Sequence, residues 1–395
     1  MVSWKHAVIR SSAAVLRACD WRSRTPEGLR CLLVCAVGGL GNTILLAPLL
    51  KTLREQLPGC PIDLLLSNRA ALNLARELGW VDDIIWMREE DWHYGLASLR
   101  FFASVIRRRR YDAVLRTFLT SSGTLRGSFA VFLSGARIRV VHGDFRDSPF
   151  DTHLIPPDES RPEVERHLAL GEILGFEAVS RWERFEVPER GQRWAEGYLA
   201  ARGWDPRNPL LGIHPGCDPL FSAKRWPAER FGWVAAAAKC QLGLQPLVLG
   251  GGDDAEAVGK VLATAGPGVL SALGQDVIQT AGLIERCSLF LSNDSGLMHL
   301  ASALEVPTLA LFGPSNYVKA RPLGSRTEVL RLGLECSPCD KETAMFRCVH
   351  HDCLQQLSAE TVMAALGKMA GSLTSLAGRH VGSSSPPLAR GPACQ

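Results

Sequence analysis

An alternation of short apolar runs with longer amphipathic stretches, played through twice, constrains this chain more than any other feature. The first round starts at Leu29. Residues 30–37 (RCLLVCAV) form a continuous apolar run of strand length, the pattern of a strand buried on both faces. A glycine loop and a helical run from Thr43 to Leu57 follow, stopped by Pro58-Gly59. Strand 61–66, helix 69–78, strand 83–87, helix 96–108 and strand 111–116 continue the pattern. The rhythm restarts near Pro209 with strand 209–214, helix 227–242, strand 245–250 and helix 253–265. Helix 276–286, strand 288–292, helix 295–304 and strand 307–311 complete it. Strands separated by helices pair in parallel and carry helices on both sheet faces. The expected fold class is α/β, with two Rossmann-like doubly wound parallel-sheet lobes facing a central cleft.

A chain of 395 residues suits two such lobes of about 150–200 residues each. The sequence places them at 28–200 and 205–370. Residues 145–165 are rich in Pro, Asp and Glu, and the turn-rich GWDPRNP (203–209) forms a hinge. Residues 1–27 read as a loosely ordered basic extension or as lying before the true start. Residues 371–395 have the Gly/Ser/Pro composition of a disordered tail.

Charge excludes one function class. The net charge of +4 is already reached in the first 30 residues, where six Lys/Arg (Lys5, Arg10, Arg17, Arg22, Arg24, Arg30) face Asp20 and Glu27. The remainder is balanced, so no nucleic-acid partner is expected. No apolar run approaches about 18 residues, and Ala13–Leu16 is too short for the core of a signal peptide. A cytoplasmic location is expected. Of the twelve cysteines, Cys31, Cys35, Cys240 and Cys287 lie in apolar segments, where a reduced thiol packs as a small hydrophobe. The spacing Cys336-x₂-Cys339-x₈-Cys348-x₄-Cys353, with His350 and His351 inside it, is that of a zinc knuckle. Structural metal, packed or redox-active thiols and disulfides all remain open for it.

Three segments of the second lobe carry polar chemistry at strand ends, where ligands of open α/β sheets gather. Ser292-Asn293-Asp294-Ser295-Gly296-Leu297-Met298-His299 leaves a strand and opens a helix. Ser295 can cap that helix, Gly296 admits a ligand close to the backbone, and the helix start favours a diphosphate. His299 falls on the same helical face as Ser295. Lys224 and Arg225, before Trp226-Pro227, follow a loop containing His214-Pro215-Gly216 and can neutralise a leaving diphosphate. Gly250-Gly251-Gly252-Asp253-Asp254 clears space and offers an acid to ribose hydroxyls. Each segment also has an ordinary explanation: a capped helix start, a solvated charge pair, a tight acidic turn. Their coincidence in one lobe favours a common site.

In the first lobe, Gly38-Gly39-Leu40-Gly41-Asn42 joins strand to helix. Gly39 and Gly41 fit G-x-G, but Ile44 occupies the third glycine position and Ser67-Asn68 ends the second strand without an acid. That argues against a dinucleotide fingerprint, and a P-loop lysine is missing as well. The basic run Arg107–Arg110 ends a helix, where cations are favoured, and reads as a solvated face or as an attraction to anionic lipid or phosphorylated saccharide.

Together these segments resemble glycosyltransferase family 9, the ADP-heptose:lipopolysaccharide heptosyltransferases and their relatives. The resemblance runs from about residue 30 to 368: GGLGNTILLAPLL, LTSSGTLRGSFAVFLSGARIRVV, EVERHLALGEILGF, IHPGCDPLFSAKRWP, LGGGDD, LSNDSGLMHLA and CSPC…CVHHDC. It implies a GT-B fold and a metal-independent, inverting transfer without cofactor. The substrates would be a nucleotide sugar, ADP-heptose, and a lipopolysaccharide-core or other lipid-linked saccharide, with peripheral contact at the inner membrane face. By position, Lys224 would hold the donor phosphates and Asp294 the donor sugar, with Ser295, Gly296 and Leu297 presenting backbone to the diphosphate and His299 nearby. Gln275-Asp276 would border the base. Gly39, Gly41, His214, Arg225, Gly252 and Asp253 complete the expected donor set, and Arg126 is the acceptor-side candidate. One departure stands out. Where such enzymes usually carry a general-base aspartate, this chain has Asn42, whose amide can position a hydroxyl but not take its proton. Asn42, Lys224 and Asp294 form the expected catalytic set, with His142 and Asp144 as substitute bases. A transferase using another nucleotide sugar for a different surface polysaccharide, or a silent sugar-nucleotide binding protein, are the alternatives.

Overall fold

The structure, a computed structural model, describes residues 28–380 apart from 37, 89–95, 118–123, 145–147 and 340–341. The basic extension 1–27 and the end of the tail lie outside the described residues. The described chain divides into two compact units at Glu183/Arg184.

The first unit holds a six-stranded parallel sheet in the order β3-β2-β1-β4-β5-β6. Its strands are β1 (Leu32–Ala36), β2 (Ile62–Leu66), β3 (Asp83–Trp86), β4 (Ala113–Arg116), β5 (Ile138–His142) and β6 (His153–Ile155). Every residue of β1, β2 and β4 is buried, which is why these strands read as unbroken apolar runs. The helix Leu40–Gln56 presents Ile44, Leu45, Leu46, Leu49, Leu50 and Leu53 to the core. Helix 96–108 of the sequence reading is shorter in its α-helical part: Leu96–Phe101 passes into a π-helical turn, Phe102–Ile106.

The second unit repeats the plan with β7 (Leu210–His214), β8 (Gln245–Gly250), β9 (Leu270–Leu273), β10 (Cys287–Asn293), β11 (Thr308–Leu311) and β12 (Thr327–Leu330). Their order is β12-β11-β10-β7-β8-β9, all parallel. In each unit the order matches the dinucleotide-fold arrangement, with the reversal in winding between the first and fourth strands. That places the two switch points at β1/β4 and β7/β10. The helix Ala228–Leu242 buries Phe231, Val234, Ala235 and Ala238 against this sheet, and the last helix, Ala359–His380, covers it with Val362 and Leu366.

Three differences from the sequence reading stand out. The helix Glu189–Ala200, placed above with the first lobe, packs in the second unit, where Gly191 lies against Ile278. The last helix runs to His380, past the point at which the tail composition begins. Cys240 is exposed and disulfide-bonded, not a packed thiol, because the helical period turns residue 240 away from the face that buries Ala237 and Ala238. Cys35 and Cys287 are buried free thiols as expected, and burial pushes each up to about 12. No helix among the described residues is long and apolar enough to cross a membrane.

Candidate functional site

At the second switch point the polar segments do come together. Asp294 follows β10, and its carboxylate meets Lys224 Nζ at 2.9 Å. The lysine ends a short 3₁₀-helix, Pro219–Lys224, seventy residues earlier in sequence (294 − 224). Burial disfavours the Asp294 carboxylate, but the lysine charge and the Ser315 hydroxyl outweigh it and hold its pKa below the usual range. Burial likewise opposes the ammonium, and Asp294 outweighs that, raising the Lys224 pKa. The pair is therefore fully ionised at neutral pH.

Asn293, which the sequence reading gave no role, is fully buried and fixes the loop geometry. Its Nδ2 donates to Pro215 O (2.8 Å) and its Oδ1 accepts from Trp226 N–H (3.0 Å), so one amide joins the β7 loop to the helix that carries Lys224 on its approach. Trp226 is itself buried and donates from its indole to Leu357 O (2.9 Å). A neighbouring ion pair links the remaining loops: Arg225 Nη2 lies 3.3 Å from Asp254 Oδ1 and donates to Cys217 O (3.0 Å). The Asp254 carboxylate also accepts from Gly251 N–H at 3.0 Å. It presses on residue 216 so closely that a Cβ there would collide with it, which is why that position needs glycine. Asp254, not Asp253, is thus the buried acid of this loop; Gly252 and Asp253 are exposed.

Ser295 caps the helix Gly296–Ala303 as expected, its hydroxyl accepting from Met298 N–H (3.4 Å) and lying 3.0 Å from Ser292 Oγ. Gly296 and Leu297 are half-buried at the helix start, and His299 is buried close enough to bear on Asp294. His214, the last residue of β7, donates from Nδ1 to Leu249 O (3.1 Å), and burial holds its pKa down, so the ring is neutral. Gln275 and Asp276 follow β9, whose last residue, Leu273, pairs with Gly250 of β8. Asp276 is taken up by capping its own helix through Ile278 and Gln279 N–H groups, and Gln275 donates to Leu273 O.

In the first unit, Asn42 sits in the uncapped first turn of the helix Leu40–Gln56, with Gly39 at the N-cap and Gly41 between them. Its amide folds over residue 38, where any Cβ would strike it. A buried pair that the sequence reading missed, Arg116–Asp151 at 2.7 Å, lies at the end of β4 beside this switch point. Of the substitute bases, His142 is buried, donates from Nε2 to Arg166 O (2.6 Å) and has its pKa lowered by burial, whereas Asp144 is exposed. Arg126 is exposed on the helix Thr124–Leu133. Arg109 of the basic run pairs with Asp63 (3.0 Å) and Asp83 (2.5 Å) at the N-terminal ends of β2 and β3, whereas Asn42 follows the C-terminal end of β1.

The four clustered cysteines are all free thiols, which overturns the disulfide alternative. Burial, then the neighbouring Cys339, Cys336 and Cys348 thiols, push Cys353 up to about 11. Among the described residues no group of three or more His, Cys, Asp or Glu side chains is arranged to hold a metal ion.

Twin Rossmann-like sheets, each with its own switch point, define the GT-B class of α/β folds. A solved glycosyl transferase family 9 protein from Veillonella parvula superposes with a TM-score of 0.75 at 24% identity, covering 88% of this chain and all of that one. The family model described as glycosyltransferase family 9 (heptosyltransferase) matches residues 99–350, and the chain belongs to that family. Lipooligosaccharide heptosyltransferase 2 of Campylobacter jejuni is 30% identical over 166 residues, covering 40% of this chain. The chain spans about half the length of that relative, 51%. Lipopolysaccharide heptosyltransferase 2 of Escherichia coli K12 is 25% identical over 315 residues, 76% of this chain and 88% of the relative.

Proposed function

We propose that this chain is a heptosyltransferase that moves heptose from ADP-heptose to a lipopolysaccharide-core or similar lipid-linked saccharide, with inversion and without a metal. The observation that carries the reading is the ionised Lys224–Asp294 pair beside the Ser295-capped helix start at the second switch point. In the reaction the acceptor hydroxyl attacks the anomeric carbon and gives up its proton to water, since Asn42 cannot take it, while the bond from that carbon to the diphosphate oxygen breaks and negative charge builds on the departing diphosphate. Lys224 and the N–H groups of Gly296 and Leu297 supply preorganised positive charge to it, while Asp294 holds the donor sugar and keeps the lysine in place. Arg225 and Asp254 act on the loops that shape the pocket. A second reading, donor binding without transfer, has Asn42 in its favour.

Incubation with ADP-, GDP- and UDP-heptose and a heptose-deficient lipopolysaccharide acceptor tests the proposal. Product from ADP-heptose is expected. Turnover only with another nucleotide would move the chain to a different surface polysaccharide, and binding with no product from any donor would favour the silent protein.

A further inference from the structure

Residues 336–339 and 342–354 have no part in the chemistry above, yet they contact the neighbours of the Lys224–Asp294 pair on two sides. On one side it holds the loop after β11 that carries Ser315, the neighbour of Asp294. Cys339 N–H donates to Pro314 O at 2.8 Å, and Ser337 Oγ donates to Gly313 O. Cys353 and Leu354 are buried directly against residue 313: a Cβ there would come within 3.1 Å of the Cys353 sulfur. On the other side, the short helix Glu342–Arg347 lays Phe346 on Phe221, with ring centroids 5.7 Å apart and planes within 28°. The Phe221 ring in turn lies 4.9 Å from Lys224 Nζ. Met345, next to Phe346, is buried and anchors that helix, whereas Phe346 itself is 57% exposed. A ring that exposed adds little to the core, and its aromatic partner among the described residues is the one whose ring Lys224 faces.

We propose that residues 336–339 and 342–354 form a brace that positions the Lys224–Asp294 pair, and that Phe346 is the positioning residue through which the brace acts on Lys224. The stack restrains the ring of Phe221, whose backbone departs from helical geometry (φ −117°, ψ 40°) within the 3₁₀-helix. The restrained ring then offers its face to the ammonium, and cation–π attraction keeps Nζ over it and beside Asp294. Losing Phe346 frees Phe221 to turn and lets the lysine swing out to solvent.

The inference rests on the donor-site reading for its consequence but not for its geometry, so two measurements separate them. The first is the rate of acylation at Lys224 by an amine-reactive ester, followed by peptide mass spectrometry on the ligand-free full chain. Phe346→Ala should raise that rate about three- to tenfold, the scale of losing one aromatic contact, and Phe346→Tyr should restore it. The second is calorimetric titration with ADP, where Phe346→Ala should weaken binding by a similar factor and Phe346→Tyr should not. An unchanged acylation rate in Phe346→Ala overturns the brace whatever the titration gives. A faster acylation rate with ADP affinity unchanged also overturns it, since the pair would then be loosened without consequence. If wild type binds no nucleoside diphosphate, the donor reading fails, and the acylation rates alone decide whether Phe346 positions Lys224.

Discussion

Lys224→Ala should lower turnover by roughly 10²–10³, the loss seen when one preorganised donor to a developing charge is removed. The effect should fall on the transfer rate more than on folding, because Lys224 retains partial solvent access, with its side chain 21% exposed. Asp294, however, is left as a buried carboxylate without its cation, so some loss of stability accompanies the change. Since Asp294 raises the Lys224 pKa above its ordinary value, the ammonium keeps its charge to higher pH than a free lysine would. Wild-type rates across about pH 6–9 should therefore show no titration from this residue. Steady-state transfer by purified wild type and variant, with unfolding curves alongside, is the measurement. Near-normal turnover in a folded Lys224→Ala protein would remove the lysine from the machinery.

Asn42→Asp carries the second large expected effect. It restores a carboxylate at the position where members of this family usually have a general base, and general-base catalysis contributes about 10²–10⁴ in rate. If no other group has taken over the proton, the variant should gain activity toward that range. If a substitute operates, activity should hold. Asn42→Ala should lower turnover with donor affinity nearly unchanged, because the lost amide would have positioned the acceptor hydroxyl. His142 is a poor substitute as placed: its ring is buried, Nδ1 included, and burial lowers its pKa and so weakens it as a base. Transfer rates for wild type and both variants with one donor and acceptor decide the matter. Wild-type activity indifferent to both changes would exclude position 42 from the site.

How far the sequence could be read depended on what kind of physics each element obeys. β1, β2, β7, β8 and β10 are interior strands, and burial on both faces makes them mostly apolar, so each was visible as a run. β9 and β12 are edge strands with mostly half-exposed residues, and they left no such run. β5 escaped for the opposite reason. It is fully buried but contains Arg139 and His142, and Arg139 is tolerated there because its guanidinium donates to Phe150 O at 2.7 Å. In the site, the capped helix start at Ser295 is a local pattern and was legible. The Lys224–Asp294 pairing was foreseen only as a convergence of strand ends. Asn293 and Asp254 were not assigned their parts, because their meaning lies in long-range partners: the β7 loop for one, Arg225 and residue 216 for the other. In a pair of adjacent acids, only burial tells which one is structural. Nothing local marked Phe346 either, since its stacking partner is 125 residues away (346 − 221).

The account's central claim is that the donor diphosphate binds at the ends of β7 and β10 in the second unit. Hydrogen–deuterium exchange with and without saturating ADP tests it most directly. Slowed exchange in peptides covering 214–225 and 293–299, with little change in peptides covering 38–50, is the predicted result. Protection confined to the first unit, or none at all under conditions where ADP is shown to bind, would contradict it.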